Sequence, residues 1–84
     1  MKYIEKNNEI LAKDDIGNVV GKLEFQEVEK GKYNIYSTYV SPEARGKGVA
    51  LELVKQAVNT IQKRKGQAFA TCDYAKKWLE KNKQ

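Results

Sequence analysis

Hydrophobic positions change period several times along the chain, and each change marks an element. Ile10-Leu11-Ala12 is a short apolar segment that stops at Asp14-Asp15-Ile16-Gly17-Asn18, where Asp, Gly and Asn favour a turn. From Val19 onward, Val19, Gly21, Leu23 and Phe25 alternate with Val20, Lys22, Glu24 and Gln26, the period of a strand with one buried face. The strand is expected to end near Glu29, where Lys30-Gly31-Lys32 supplies the next turn. Tyr33 to Val40 carries bulky residues on both parities (Tyr33, Ile35, Tyr36, Thr38, Tyr39, Val40), which predicts a central strand covered on both faces. On that reading Tyr36 and Tyr39 lie on opposite faces.

Ser41-Pro42 breaks the strand, because proline lacks the ladder donor and keeps its predecessor out of the helical region. A helix follows from about Lys47 to Lys65, with Val49, Ala50, Leu53, Val54, Ala57, Val58 and Ile61 as its apolar stripe. Gly66 is placed to end it in the left-handed conformation. Gln67 to Cys72 reads as the last strand, with Phe69 and Thr71 on one face and Ala68, Ala70 and Cys72 on the other. Ala75, Trp78, Leu79 and Asn82 then share one side of a short helix, with Asp73 as its candidate cap. The order is β-β-β-α-β-α, about four strands and two helices. It predicts one α+β domain over residues 1–84.

Composition narrows the chemistry. With 40% hydrophobic and 32% charged residues the chain is of globular type. It contains no run of signal-peptide or membrane-spanning character, so a soluble, cytoplasmic protein is expected. The lone cysteine, Cys72, excludes an internal disulfide, and the lack of histidine removes both the usual metal sites and the commonest general base. A formal net charge of +5 favours anionic ligands, phosphates and nucleic acid among them. Lys63, Arg64 and Lys65 near the end of the long helix, and Lys76, Lys77, Lys81 and Lys83 on the last one, read as complements to helix dipoles.

Pro42-Glu43-Ala44-Arg45-Gly46-Lys47-Gly48-Val49-Ala50 joins a predicted strand to a predicted helix start. A helix start exposes unpaired amides at the positive end of the dipole, and Gly46 and Gly48 let the backbone approach an anion closely. The amides of Gly46 through Ala50 are expected to hold phosphate oxygens. Lys47 adds charge, and Arg45 serves either the phosphate or the bracing of the loop. The spacing is not Gly-x-Gly-x-x-Gly, a P-loop, or the Gly-x-x-Gly clamp of KH modules. An ordinary glycine-rich connection without a ligand is the plainer alternative.

Val40-Ser41-Pro42-Glu43-Ala44-Arg45-Gly46-Lys47-Gly48-Val49-Ala50 resembles the acetyl-coenzyme A motif of the GNAT superfamily of N-acetyltransferases. That motif is Arg or Gln, two residues, Gly, one residue, then Gly or Ala, and Arg45, Gly48 and Ala50 match it in order. Cys72-Asp73-Tyr74-Ala75 with Trp78-Leu79-Glu80-Lys81 resembles the tail of a very small GNAT subfamily with a cysteine ending its last strand. The resemblance implies a twisted, mostly antiparallel sheet that splays beside the Tyr33 to Val40 strand. The pantetheine arm would enter there, bond backbone near Tyr39 and Val40, and bring the thioester toward Cys72.

The usual GNAT route is direct attack by an amine on the thioester. It would use Tyr74 as the acid for the leaving thiolate, and Glu24 or Glu27 as a base through water. Cys72 is alternatively an acyl acceptor, and each of these residues also has a structural reading: Cys72 and Tyr74 as packing, the glutamates as solvated surface. Ser37 and Tyr39 stand where small relatives often carry histidine and glutamate, and the helices that usually shape an acceptor pocket are absent from this chain. Trp78 reads as an anchor of the last helix. The leading expectation is an acetyl-CoA-binding N-acetyltransferase acting on an amine. A non-catalytic acyl-CoA binder is the alternative, and a basic nucleic-acid module ranks third, since no exposed strand with interleaved aromatic and basic residues is evident.

Overall fold

The computed structural model describes residues 1–82; Lys83, expected on the last helix, lies outside them. Strands β1 (Lys2–Lys6), β2 (Glu9–Lys13), β3 (Val19–Glu29) and β4 (Lys32–Val40) follow one another, each antiparallel to the last. A 3₁₀ turn (Pro42–Ala44) leads to helix α1 (Val49–Lys63), which returns the chain to β5 (Gln67–Ala70), parallel to β4, and then to α2 (Asp73–Lys81). The result is one 5-stranded sheet in the order β1-β2-β3-β4-β5 with both helices packed on it. No helix among the described residues is long and apolar enough to cross a membrane.

The fifth strand is β1, where about four strands were expected. Lys2-Tyr3-Ile4-Glu5-Lys6 hides its period because it is an edge strand whose residues are mostly exposed. Its signal was the Asn7-Asn8 dipeptide, which makes the two-residue turn into β2, with Asn7 at φ 53°.

Register on β4 overturns the reading of a strand covered on both faces. Glu24 pairs with Ser37 and Phe25 with Ile35, so Tyr36 is an extra residue on β4, a β-bulge that reverses which parity faces the core. Tyr33 and Ile35 point inward before it, and Thr38 and Val40, opposite Leu23 and Gly21, after it. Tyr36 and Tyr39 therefore share the outer face, 44% and 53% exposed, rather than opposite ones. Phe69 of β5 is exposed on the same side, so this open face does interleave aromatics with Lys22, contrary to the expectation from sequence.

The core lies between the inner face and the helices: Ile10, Leu23, Phe25 and Ile35 against Leu53, Val54, Ala57 and Ile61. Amphipathic spacing puts the α1 stripe there. The helix ends as a Schellman motif, with Gly66 N donating to Ile61 O at 2.9 Å and Lys65 N to Gln62 O at 2.8 Å. The left-handed residue is Lys65, at φ 61°, not Gly66 as expected. Gly66 is required for another reason: a Cβ there would stand 2.6 Å from a ring carbon of buried Tyr33.

Arg64 does more than complement the dipole. It donates to Asn7 O at 3.0 Å and Asn8 Oδ1 at 3.2 Å, pairs with Glu5 at 3.4 Å, and lies 5.4 Å from the Phe25 ring centroid and 5.7 Å from that of Tyr33. It thereby ties the C-terminal end of α1 to the β1–β2 turn. Asp14 accepts the amides of Ile16 and Asn18 in the next turn. Those bonds, Asn18's first, hold its carboxyl below the usual carboxylate range.

Candidate functional site

The loop after β4 is built by local bonding. Ala44 N donates to Ser41 O and Arg45 N to Pro42 O, closing the 3₁₀ turn, and Arg45 Nε donates to Val40 O at 3.0 Å. Of the two roles open to Arg45, bracing is therefore present. Gly46 and Gly48 adopt φ 79° and 77°, a region costly for any residue with a side chain. Gly48 is the N-cap of α1 and brings no side chain to it; the first in-helix bond runs from Glu52 N to Gly48 O. The amides of Val49, Ala50 and Leu51 thus meet no capping side chain among the described residues.

The helix start lies at a shallow pocket of about 240 Å³ lined by Val40, Arg45, Gly46, Gly48, Val49 and Ala50 of the predicted set, and by Tyr74 from α2. An ideal Cβ on Gly46 or Gly48 would meet nothing within 4 Å, so space beside the backbone is clear. An uncapped helix start, Arg45 and Lys47 nearby, and an open glycine cradle fit a pyrophosphate. Two predicted residues fall elsewhere: Lys47 is exposed on the loop without lining the pocket, and the Tyr39 side chain projects from the open face. Sequence reasoning missed Leu51, which completes the pocket wall, and Ser41, whose Oγ is buried without a partner among the described residues.

Beside the pocket the sheet opens. Pairing between β4 and β5 stops at Ile35 with Ala70, at the Tyr36 bulge, and the amides of Thr71 and Cys72 both turn toward Ile35 O. Asn34 closes this corner by accepting Thr71 N at 3.1 Å and donating to Thr71 Oγ1 at 3.2 Å. Past it β5 gives β4 no partner, and Val40 and Tyr74 both line the pocket there. Cys72, half-buried, is the N-cap of α2, and its thiol meets Thr38 Oγ1 at 3.3 Å. Thr38 was not singled out from sequence, since only the bulge turns it inward.

The remaining candidates separate. Tyr74 is 43% exposed at the pocket edge, two residues from Cys72. Glu27 accepts the Gly31 amide at 2.8 Å and so holds the β3–β4 turn. Glu24 stands opposite Ser37 on the outer face and pairs with Lys22 at 4.0 Å. Neither glutamate lines the pocket. Asp73 occupies the first helical position, not the cap, although its charge still suits the N-terminal end of α2. Trp78 and Leu79 pack against the core, the anchoring role expected of them.

Comparison with known proteins agrees with this geometry. The solution structure of a GCN5-like protein from Staphylococcus aureus superposes with a TM-score of 0.76 at 30% identity, over 96% of this chain and 79% of that one. A Mycobacterium tuberculosis protein solved in complex with CoA matches with a TM-score of 0.69 at 21% identity, over 75% of this chain but 40% of its own length. An acetyltransferase-like structure from Pyrococcus furiosus matches with a TM-score of 0.69 at 20% identity, over 90% of this chain and 57% of that one. At these lower identities the likeness shows the fold alone. No curated protein matches the chain. Residues 9–84 match the family model described as GCN5-related N-acetyl-transferase. With the bulged β4, the parted strands and the glycine cradle at the start of α1, this match establishes that the chain belongs to the GCN5-related N-acetyltransferase family.

Proposed function

We propose that the protein binds acetyl-CoA through the Arg45 to Ala50 loop and transfers the acetyl group to an amine. The observation that carries the reading is the uncapped α1 start in a glycine-opened pocket that Val40 and Tyr74 also line, next to the point where β4 and β5 part. Backbone amides of Gly46 to Ala50 hold the pyrophosphate, with Lys47 adding charge, while backbone near Tyr39 and Val40 takes the pantetheine arm. The CoA complex of the Mycobacterium protein supports this by likeness of fold.

Two routes to the amine suit these residues. In the direct one, the amine nitrogen attacks the thioester carbonyl and forms the N–C bond, the C–S bond breaks, Tyr74 gives its proton to the departing thiolate, and the proton lost by the nitrogen returns through water to the Tyr74 oxygen. In the other, Cys72 Sγ forms the new S–C bond first and its proton leaves with the released thiol. An amine then takes the acetyl group, its proton restoring the Cys72 thiol. Thr38 Oγ1, in contact with Sγ, orients the thiol in the second route. A binder that performs no transfer is the alternative, and the described residues that line the pocket, which include no carboxylate, favour it.

Acetyl-CoA in large excess is expected to raise the melting temperature by roughly 10–20 °C, because a ligand selective for the folded state adds about 2.7 kcal/mol at a hundredfold excess over Kd. Single-stranded DNA at matched phosphate is expected to give no such rise. No shift with acetyl-CoA, or a larger one with DNA, overturns the reading. Intact-mass measurement after incubation with acetyl-CoA separates the routes: the covalent one requires one added acetyl group, lost in Cys72→Ala. Full turnover by Cys72→Ala, where an amine is acetylated, removes the covalent route.

A further inference from the structure

The two edges of the sheet differ in how they resist a further strand. Strand β1 carries Lys2, Glu5 and Lys6 within five residues, charges that discourage pairing along its open side. Strand β5 is Gln67-Ala68-Phe69-Ala70, with no charge, no proline and no bulge in its register with β4. Gln67 N donates to Gly31 O at 2.7 Å and Thr71 N to Ile35 O at 3.2 Å, so the odd-numbered residues turn their backbone groups to β4. The period of the strand then turns the amides and carbonyls of Ala68 and Ala70 outward, where they meet no partner among the described residues.

A groove of about 290 Å³ runs beside this edge, lined by Ala68, Phe69 and Ala70 of β5 and by Lys76, Leu79 and Glu80 of α2. Lys76 and Glu80 are exposed, and neither makes an ion pair with a described residue. The strand residues of the groove are centred on Phe69, and its two charges are centred on Trp78. One two-fold axis, perpendicular to the sheet at Phe69, suits both. It sets Ala68 against Ala70 of a second copy, and Ala70 against Ala68, as hydrogen-bonded pairs that use every outward amide and carbonyl. The two Phe69 rings meet in the close pair between them, on the outer face. On the inner face the two α2 helices run antiparallel, with Lys76 of each copy facing Glu80 of the other.

We infer that β5 pairs antiparallel with β5 of a second copy of this chain, joining two 5-stranded sheets into one. Charge complementarity names the occupant. Any extended peptide could bond the free backbone, but a second copy also answers Lys76 with Glu80 and Glu80 with Lys76 in the same register. The inference is independent of the coenzyme A reading, because no residue of this groove lines the pocket at the start of α1.

Sedimentation equilibrium over roughly 10 µM to 1 mM tests it, the range in which a small interface associates. A monomer–dimer equilibrium is expected for the unaltered protein. Phe69→Lys sets like charges directly opposite each other at the axis and is expected to weaken association by about tenfold or more. Lys76→Glu and Glu80→Lys each place like charges across the helices, so each is expected to weaken self-association. An equimolar mixture of those two variants is expected to regain it, because every altered side chain then faces its opposite. All three positions are exposed, so the changes leave the core intact. A protein that stays monomeric throughout the range, a dimer indifferent to Phe69→Lys, or a mixture that associates no better than its components overturns the inference.

Discussion

Gly48→Val is expected to weaken coenzyme A binding by about 100-fold or more. Gly48 holds φ 77° as the N-cap of α1, and a β-branched side chain resists that left-handed region by roughly 1–2 kcal/mol. Relief of the strain turns the peptide toward negative φ, and the amides of Val49 and Ala50 no longer converge on one anion. Each charge-assisted bond is worth about 1.5–3 kcal/mol, so the loss of two spans the predicted range. Valine also projects into space that a glycine leaves open. Gly31→Val is the control: Gly31 adopts φ 80° with nothing within 4 Å of an ideal Cβ, in the β3–β4 turn remote from the cradle. It imposes comparable strain and is expected to leave the dissociation constant unchanged. Calorimetry on both variants decides the matter, and equal losses would mean that stability, not the cradle, had been altered.

Gly66→Ala is expected to destabilise the fold by about 2–3 kcal/mol, near the upper end of what one overpacked methyl costs. The new Cβ would lie 2.6 and 2.7 Å from two ring carbons of Tyr33 and 3.2 Å from Ile61 Cγ2. Tyr33 has little room to yield, since it is 7% exposed, packs edge-on to Phe25 at 6.1 Å and lies beneath Arg64. For a domain of this size the change lowers the melting temperature by roughly 10–20 °C. A Tyr33→Leu background removes the offending ring, so the Gly66→Ala penalty is expected to shrink there, which a double-mutant cycle measures. An undiminished penalty would place its origin in the backbone at the end of α1. Because Gly66 is remote from the cradle, ligand affinity well below the melting transition should hold.

Both glycines were visible in the sequence, and in each case for a reason the structure altered. Gly66 looked like a helix-ending residue in the left-handed region, but Lys65 takes that conformation and Gly66 clears the way for Tyr33. Gly48 looked like a point of close approach for an anion. It is also the residue that withholds a capping side chain from α1, leaving the helix start to an external acceptor.

Local pattern determined much by itself. The Val19 to Glu29 strand, the turns at Asp14 to Asn18 and Lys30 to Lys32, the α1 stripe and the small final helix depend on spacing and turn chemistry within a few residues. The Arg45 to Ala50 motif belongs to the same class, since a helix start is a local object. Tertiary structure decided the rest, because it depended on which strands pair and in what register. The Tyr36 bulge leaves no mark on composition, yet it reverses the parity of β4, moves Tyr39 to the open face and brings Thr38 to Cys72. Parallel pairing that stops at Ile35 parts β4 from β5. A groove between the helices joins Leu51 and Lys55 of α1 to Tyr74, Lys77, Trp78 and Lys81 of α2, and only the packing of α2 beside α1 could bring them together.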